Sequence, residues 1–131
     1  MPIVRAARDL GINCRIDWKG NDANALSELM NAHIFVAPSV EPDPEALSVI
    51  EAMSQHCAIV ATDCGIHHEI LKDGENAMLV PPSDSDALAA ALRKLLENPP
   101  LRQRLASNAA SVFSSSLSYP HFYASLLPLL H

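Results

Sequence analysis

The sequence predicts an α/β fold: an incomplete doubly wound, Rossmann-like parallel sheet of about four strands, with helices on both faces. Strand-like and helical segments alternate along the chain, and the strongest strand signals, HIFVAPS (33–39) and AIVATD (58–63), are unbroken apolar runs. Such runs are typical of strands buried on both faces of a parallel sheet. The 131 residues, 49% of them hydrophobic, suffice for the core of one domain, which we assign to 1–131.

The first third of the chain carries the weaker signals. Residues 3–10 have helical spacing and stop at Gly11, a residue type common just after helices. Residues 15–19 are predicted to form a short strand, and a turn at 20–22 leads into a helix. The apolar face of that helix carries Leu26, Leu29 and Met30. Pro38 is expected to end the strand that follows.

The central part of the chain has the most regular patterns. A short polar helix is expected around 69–72 after the second apolar strand, and the Asp-Gly turn at 73–74 leads into a third strand, AMLVP. Ser83 with Asp86 three residues later forms a capping-box pattern. The helix that follows has apolar residues at i, i+3, i+4 and i+7, namely Leu88, Ala91, Leu92 and Leu95.

The C-terminal part is predicted to be helical in two pieces. The Asn-Pro-Pro break at 98–100 separates the preceding helix from one at 101–113, and SSSLS is interpreted as a linker. A last apolar helix, interrupted by Pro128, is expected at about 119–130. Because its polar side has no Lys or Arg, packing against the domain is favoured over contact with a membrane surface.

Composition excludes several classes of function. The net charge is -6, and the nine Lys and Arg are spread along the chain, so there is no basic stripe to follow a nucleic-acid backbone. No apolar run approaches the ~18 residues that signal a membrane span. Cys14, Cys57 and Cys64 form no CxxC pair and lie beside apolar residues, which suits reduced thiols. A cytoplasmic protein is therefore expected.

The segment EPDPEALSVIEAM, residues 41–53, combines an acidic entrance with a largely apolar helix. Asp43 followed by Pro44 suits an N-cap and first helical residue, and the helix is expected to reach Gln55. Most of its circumference is apolar, with Leu47, Val49, Ile50, Ala52 and Met53. Its one polar stripe consists of Ser48, Glu51 and Gln55.

This helix has two chemical interpretations. Its free N-terminal amides suit an anion near residues 45–47. Asp43 and Glu51 lie about 12 Å apart along a helix axis, so they can accept hydroxyl hydrogen bonds from both ends of a ligand whose phosphates lie between them. Alternatively, Asp43 is only a cap and Glu51 only a solvent-exposed charge. Spacing does not decide between these interpretations.

Four segments, FVAPS, DPEALSVIEAM, AIVATDCG and EILKDGENAMLVPPSDSDALAAAL, together resemble a known family. They are similar, in order and spacing, to the C-terminal, donor-binding half of GT-B glycosyltransferases of the retaining family called group 1 or family 4. The resemblance covers roughly residues 15–110. It implies a nucleotide-diphosphate sugar as donor substrate, transfer of the sugar to an acceptor hydroxyl with retention, and no cofactor.

The resemblance also implies roles for particular residues. The family's helix carries two acidic residues with seven between them, and here these are Asp43 and Glu51. Asp43 is expected to act in catalysis by contacting hydroxyls of the transferred sugar, and Glu51 to bind the ribose. Backbone amides near Ala46 and Leu47 are expected to approach the diphosphate.

This chain departs from the family pattern near the same helix. Asp43 stands where Glu is usual, and Glu45 and Ala46 replace an aromatic residue and a glycine, so Glu45 puts negative charge at the donor-binding position of the diphosphate. In the loop after ATD, Ile66 and His68 replace a glycine and a proline.

Other parts of the family's donor site are expected to be missing. The nucleobase should contact backbone near Gly20 and Asn21, but two earlier strands, with a glycine-arginine element and a lysine that neutralise the diphosphate, are not matched. In a full sheet of order 3-2-1-4-5-6 those strands are central. The resemblance therefore implies an N-terminally truncated, partial domain that is inactive as an isolated chain, whose strand at 15–19 must pair directly with 34–37 or leave an open edge.

Three other hypotheses remain open. The chain can be a non-catalytic interaction module that forms a homodimer, or binds a complementing chain, through its open sheet edge. A Cys–His nucleophile pair has suitable residue types but no activating arrangement visible in the sequence. The third hypothesis is a metal site. It is less favoured than the absence of a metal, because adjacent histidines point apart. Its residues would be Cys57, Cys64, His67, His68 and Glu69.

Overall fold

The computed structural model describes residues 2–20, 24–42, 47–118, 120, 124 and 127–129. Within them, six α-helices and three strands follow one another in an α/β order. The helices are α1 (Pro2–Asp9), α2 (Ala25–Leu29), α3 (Leu47–Ser54), α4 (His67–Ile70), α5 (Ser85–Glu97) and α6 (Pro99–Val112). The strands are β1 (Ile34–Ala37), β2 (Ala58–Thr62) and β3 (Met78–Val80).

The three strands form one parallel sheet in the order β1-β2-β3. Ala37 of β1 is paired with Ala61 of β2, and Thr62 of β2 with Val80 of β3. The predicted α/β class with a parallel sheet is confirmed. The predicted number of about four strands is too high for the described residues, which contain three.

The segment at 15–19 is not a strand, contrary to the prediction. Asn13–Arg15 form a 3-10 turn, and the residues after it have no regular structure. Local side-chain pairs hold this segment instead: Trp18 Nε1 donates to Asn13 Oδ1 (3.1 Å), and Lys19 pairs with Asp17 (2.7 Å). A strand needs a neighbouring strand for its backbone groups, and none of the described strands pairs with this segment.

Strand β2 is buried on both faces, as its unbroken apolar run predicted. Ile59 and Ala61 point into the cluster formed with α3 and α6, while Ala58 and Val60 point into the cluster on the α5 side. The two sets alternate because successive strand residues face opposite sides of a sheet. Buried partners on the first face include Val49, Ala52, Met53, Leu71 and Ala109. Those on the second are Val80, Ala91, Leu95, Leu105 and Ala106.

Helix α5 confirms the predicted apolar stripe but begins one residue later than the capping box implied. Asp84 is the N-cap, and its Oδ1 accepts a hydrogen bond from the backbone amide of Ala87 (2.9 Å). Ser83 instead lies in the left-handed region with φ of 59°. That backbone turn directs Asp84, not Ser83, toward the free amides of the first helical turn.

The Asn-Pro-Pro segment starts α6 directly. Asn98 Oδ1 accepts from the amide of Leu101 (3.1 Å), and Pro99 and Pro100 occupy first-turn positions where no amide is needed. The linker expected at SSSLS is instead a π-helical turn, Phe113–Leu117, continuous with α6. Most of the helix expected at 119–130 lies outside the described residues, which include a 3-10 turn at Leu127–Leu129.

The three cysteines are free thiols in different environments. Cys14 is exposed, Cys64 is partly buried and Cys57 is buried. Burial raises the pKa of the Cys57 thiol, so it stays protonated and can donate to the carbonyls of Leu29 (3.3 Å) and Ala32 (3.6 Å). No helix in the described part of the chain is long and apolar enough to span a membrane.

The packing of α5 predicts a contrast between two adjacent leucines. Leu95 is fully buried, whereas Leu96 is 65% exposed. Leu95→Ala should lower the free energy of unfolding by about 2–5 kcal/mol, because it leaves a cavity in the core. The matched variant Leu96→Ala should change it by less than about 0.5 kcal/mol. Urea denaturation followed by circular dichroism measures both, and equal losses would contradict the packing described.

The capping geometry predicts a second contrast. Asp84→Ala should lower the free energy of unfolding by about 0.5–2 kcal/mol, because the Ala87 amide loses its acceptor. Ser83→Ala removes no capping bond and should have a smaller effect. The same denaturation experiment compares the two variants, and a larger loss for Ser83→Ala would identify Ser83 as the cap.

Candidate functional site

The candidate site lies beside α3, the helix that follows β1. Val49, Ala52 and Met53 are its buried residues, and they cluster on one side at helical spacing. Ser48 and Glu51, two residues of the predicted polar stripe, are exposed, whereas the third, Gln55, is partly buried and follows the end of the helix. Leu47 was expected among the apolar, buried residues, but it is 61% exposed. It lies two residues before Val49 and four before Glu51, so it shares the face of Glu51.

A cavity of about 350 Å³ joins this polar stripe to the segment around Gly20 and to α2. It brings together two predicted donor-binding residues, Gly20 and Glu51, that lie far apart in the sequence. Ser48 lies one helical turn before Glu51 on the same wall. The full lining consists of Lys19, Gly20, Ala25, Glu28, Leu29, Phe35, Ser48 and Glu51.

Gly20 is required at the cavity by its backbone conformation. Its φ is +63°, in the left-handed region that residues with a Cβ adopt only at a cost. A Cβ placed there would meet no other atom within 4 Å. The glycine therefore serves the turn of the chain and leaves open space beside its backbone, next to the cavity.

The walls and the rim of the cavity differ in polarity. Ala25, Leu29 and Phe35 supply apolar walls. At the rim, the Lys19 ammonium lies 2.7 Å from an Asp17 oxygen and 3.4 Å from a Glu28 oxygen. The hydrogen bond to Asp17, followed by that to Glu28, raises the pKa of Lys19. Among the described lining residues, the one ammonium group is therefore already paired with two carboxylates.

The remaining predicted site residues are only partly placed by the structure. Leu47 is the first residue of α3 as described. Asp43, Glu45, Ala46 and Asn21 lie outside the described residues. Their expected roles at the sugar, the diphosphate and the base remain predictions.

Sequence reasoning did not identify several residues that line the cavity. Phe35 and Leu29 belong to apolar patterns of a strand and a helix, which predict burial but do not indicate a ligand. Glu28 has no distinguishing motif in the sequence. What marks these residues is their position around the same space as Glu51, which depends on the packing of α2 against α3.

The residues of the hypothetical metal site have other contacts. His67 is buried, and its Nδ1 lies 2.8 Å from the carbonyl oxygen of Thr62. His68 is exposed, with Nδ1 3.7 Å from an Asp63 oxygen. In the ranges that the structure describes, no three His, Cys, Asp or Glu side chains are grouped to hold a metal ion. His67 therefore has a structural role at the end of β2.

Sequence relatives carry related activities. Phosphatidyl-myo-inositol mannosyltransferase of Mycolicibacterium smegmatis is 33% identical over 104 residues, which cover 79% of this chain and 27% of that protein. MMP alpha-(1->4)-mannosyltransferase of Mycolicibacterium hassiacum is 33% identical over 120 residues, covering 86% of this chain and 29% of that protein. The chain thus spans less than a third of the length of these relatives.

Solved structures share the fold. Anabaena Alr3699/HepE in complex with UDP superposes with a TM-score of 0.92 at 22% identity, over 98% of this chain and 35% of that one. The C-terminal domain of the group 1 glycosyl transferase LpcC from Francisella tularensis has a TM-score of 0.79 at 26% identity, over 90% and 62% of the two chains. These likenesses confirm the GT-B type of fold.

The family can be assigned from the extent of the match. Residues 2–112 match the family model described as "Glycosyl transferases group 1", which confirms the resemblance seen in the motifs. This span begins in α1 and ends with α6, so it includes the sheet, the cavity and Glu51. The chain therefore belongs to the group 1 family of glycosyl transferases.

Proposed function

We propose that this chain is the nucleotide-sugar-binding portion of a retaining glycosyltransferase that transfers a sugar to an acceptor hydroxyl. The observation that carries the proposal is the cavity in which Gly20 and Glu51 meet beside the exposed face of α3. The family assignment supports the reaction class. The fold neighbour Alr3699/HepE has been solved with UDP and with UDP-glucose, which supports a nucleoside diphosphate as ligand.

The cavity is proposed to hold the nucleoside end of the donor. Its apolar walls, Leu29 and Phe35 among them, suit the faces of a base, and the open backbone near Gly20 can contact the base edge. The Glu51 carboxylate can accept hydrogen bonds from both ribose hydroxyls. Asn21 is proposed as a further contact of the base.

The diphosphate and the sugar are proposed to lie toward the start of α3. Leu47 and Ser48 lie in the first described turn of this helix, whose amides and dipole favour an anion. The amides of Ala46 and Leu47 are proposed to approach the diphosphate, and Asp43 to contact sugar hydroxyls. The Glu45 carboxylate would then lower affinity, because it adds like charge beside the phosphates.

The isolated chain is proposed to bind donor without transferring the sugar. Transfer requires cationic groups that stabilise the departing diphosphate. Among the described residues that line the cavity, Lys19 is the cation, and Asp17 and Glu28 already compensate its charge. The three free thiols suit a reducing compartment, so a cytoplasmic location is proposed.

Nucleotide titration tests the role of Glu51. UDP, GDP and ADP are titrated separately into the 131-residue chain by isothermal calorimetry, and at least one should bind weakly. Glu51→Ala should reduce the affinity for that nucleotide about 5- to 50-fold, because charge-assisted hydrogen bonds to the ribose are lost. The corresponding 2′,3′-dideoxynucleotide should bind about equally to both proteins.

The matched control is Glu97→Ala. Glu97 is an exposed glutamate at the end of α5 and does not line the cavity, so its loss should leave the affinity unchanged. Equal affinities of the parent chain and Glu51→Ala would refute the assignment of Glu51. Lack of binding of all three nucleotides to the parent chain would refute the donor-binding function itself.

A second candidate function is an interaction module, and the edge of the sheet favours it. Among the described strands, β1 pairs on one side only, with β2. Ile34, Phe35 and Val36 are only partly buried, and such an edge can pair with another chain. We propose a homodimer, or a complex with a complementing chain, formed along this edge.

Light scattering at increasing protein concentration tests self-association. The average mass should rise from that of one chain toward twice that value as the concentration increases, because edge pairing is bimolecular. Val36→Lys, which places a charge on the edge strand, should shift the rise to higher concentration. A constant monomer mass at millimolar concentration would contradict the homodimer.

A further inference from the structure

The loop that leads from β1 toward α3 is attached to the end of β2 by two side chains. Thr62 Oγ1 donates to the carbonyl oxygen of Ala37 (3.3 Å). The Cys64 thiol lies 3.6 Å from the carbonyl oxygen of Ser39 and 3.7 Å from that of Glu41. The Thr62 hydroxyl and the Cys64 sulfur also contact each other at 3.4 Å. The carbonyl of the last β1 residue and two alternate carbonyls of the loop therefore face one pair of side chains.

The Thr62 and Cys64 side chains connect the two chain segments just beyond the last backbone pair of β1 and β2. The β1–β2 register ends at Ala37 and Ala61, and the next residue of the loop, Pro38, has no amide to donate. The amide of Asp63 donates to Val80 (2.8 Å) on the far side, and that of Cys64 to Thr62 (2.9 Å). The two backbone amides that follow β2 thus have other acceptors, and the Thr62 and Cys64 side chains supply the donors to the neighbouring segment.

Each of the two side-chain protons has a defined acceptor. Thr62 has one hydroxyl proton, which Ala37 accepts, and Cys64 has one thiol proton, which Ser39 and Glu41 can share. The Thr62 site is buried, so the loss of that donor would leave the Ala37 carbonyl with one hydrogen bond fewer in a water-poor place. The thiol bonds are weaker, and they hold the outer part of the loop.

We propose that Thr62 and Cys64 are positioning residues that fix the loop at 38–42 and so set the direction in which the chain enters α3. The inference rests on the proposed function, because that loop leads to Asp43 and then to Leu47, Ser48 and Glu51 on α3. Neither side chain lines the cavity that contains Glu51, so they act on a bound nucleoside diphosphate through the loop.

The test combines removal and restoration of the two donors. Thr62→Val with Cys64→Ala removes both donors, the first by exchange of the hydroxyl for a methyl group and the second by loss of the sulfur. Thr62→Ser with Cys64→Ser keeps a hydroxyl at each position. The first double variant should bind UDP, GDP or ADP, whichever the parent chain binds, about three- to tenfold more weakly. The second should recover most of that affinity, because a serine hydroxyl can donate to the same carbonyls.

Hydrogen exchange gives a measurement that does not depend on a ligand. Without nucleotide, the amides of 39–41 should exchange at least threefold faster in the Val/Ala variant than in the parent chain, and near the parent rate in the Ser/Ser variant. Unchanged exchange would show that the two side chains do not hold the loop, and would overturn the inference whatever the nucleotide result.

A stability-matched control separates positioning from general destabilisation. Asn98→Ala removes the cap of α6, far along the chain from the loop, and should lower stability without changing nucleotide affinity. If it weakens binding as much as the Val/Ala variant does, the inference is overturned. If the parent chain binds none of UDP, GDP and ADP, the proposed function fails. If it binds, Glu51→Ala binds more weakly and the Val/Ala variant binds normally, only this inference fails.

Discussion

The burial of β2 between two helical layers is the constraint on which the rest of the structure depends. All five residues of this strand are buried, and it pairs with β1 on one side and with β3 on the other. Its two faces anchor separate apolar clusters, one with α3 and α6 and one with α5 and other residues of α6. Helix α3 packs against β2, β1 and α6, so its position depends on the same strand.

Several polar contacts lie together at the carboxyl end of β2. The Thr62 hydroxyl donates to the carbonyl of Ala37 at the end of β1, and the Thr62 carbonyl contacts the buried ring of His67. Asp63 connects the same end to β3. Pro38, directly after β1, has no amide for a further hydrogen bond of the β1–β2 ladder. A side-chain hydrogen bond from Thr62 connects the two chain segments there instead.

Local sequence patterns predicted the elements in which apolar residues recur with one clear period or form an unbroken run. The unbroken run at 58–62 predicted a strand buried on both faces, and all five of its residues are buried; the stripe of α5 predicted one buried side. The run at 34–37 also forms a strand, but three of its four residues are only partly buried. The wrong predictions concern residues whose local pattern suggests one structure but whose surroundings in the fold require another. The segment at 15–19 has strand-like residues but no described partner strand, and Ser83 has capping chemistry but a backbone conformation that assigns the cap to Asp84. Partner strands and backbone direction are not encoded in a short window.

The sequence by itself determined the fold class, the family and the polar stripe that carries Glu51, because these depend on residue types at fixed short spacing. Only the tertiary structure decided that Gly20 and Glu51 share one cavity, that Lys19 also pairs with Glu28 of α2, and that Leu47 is exposed. The physical reason is that these properties arise from the packing of α2 and α3 beside β1, and contacts between segments distant in the chain leave no periodic signal in the sequence.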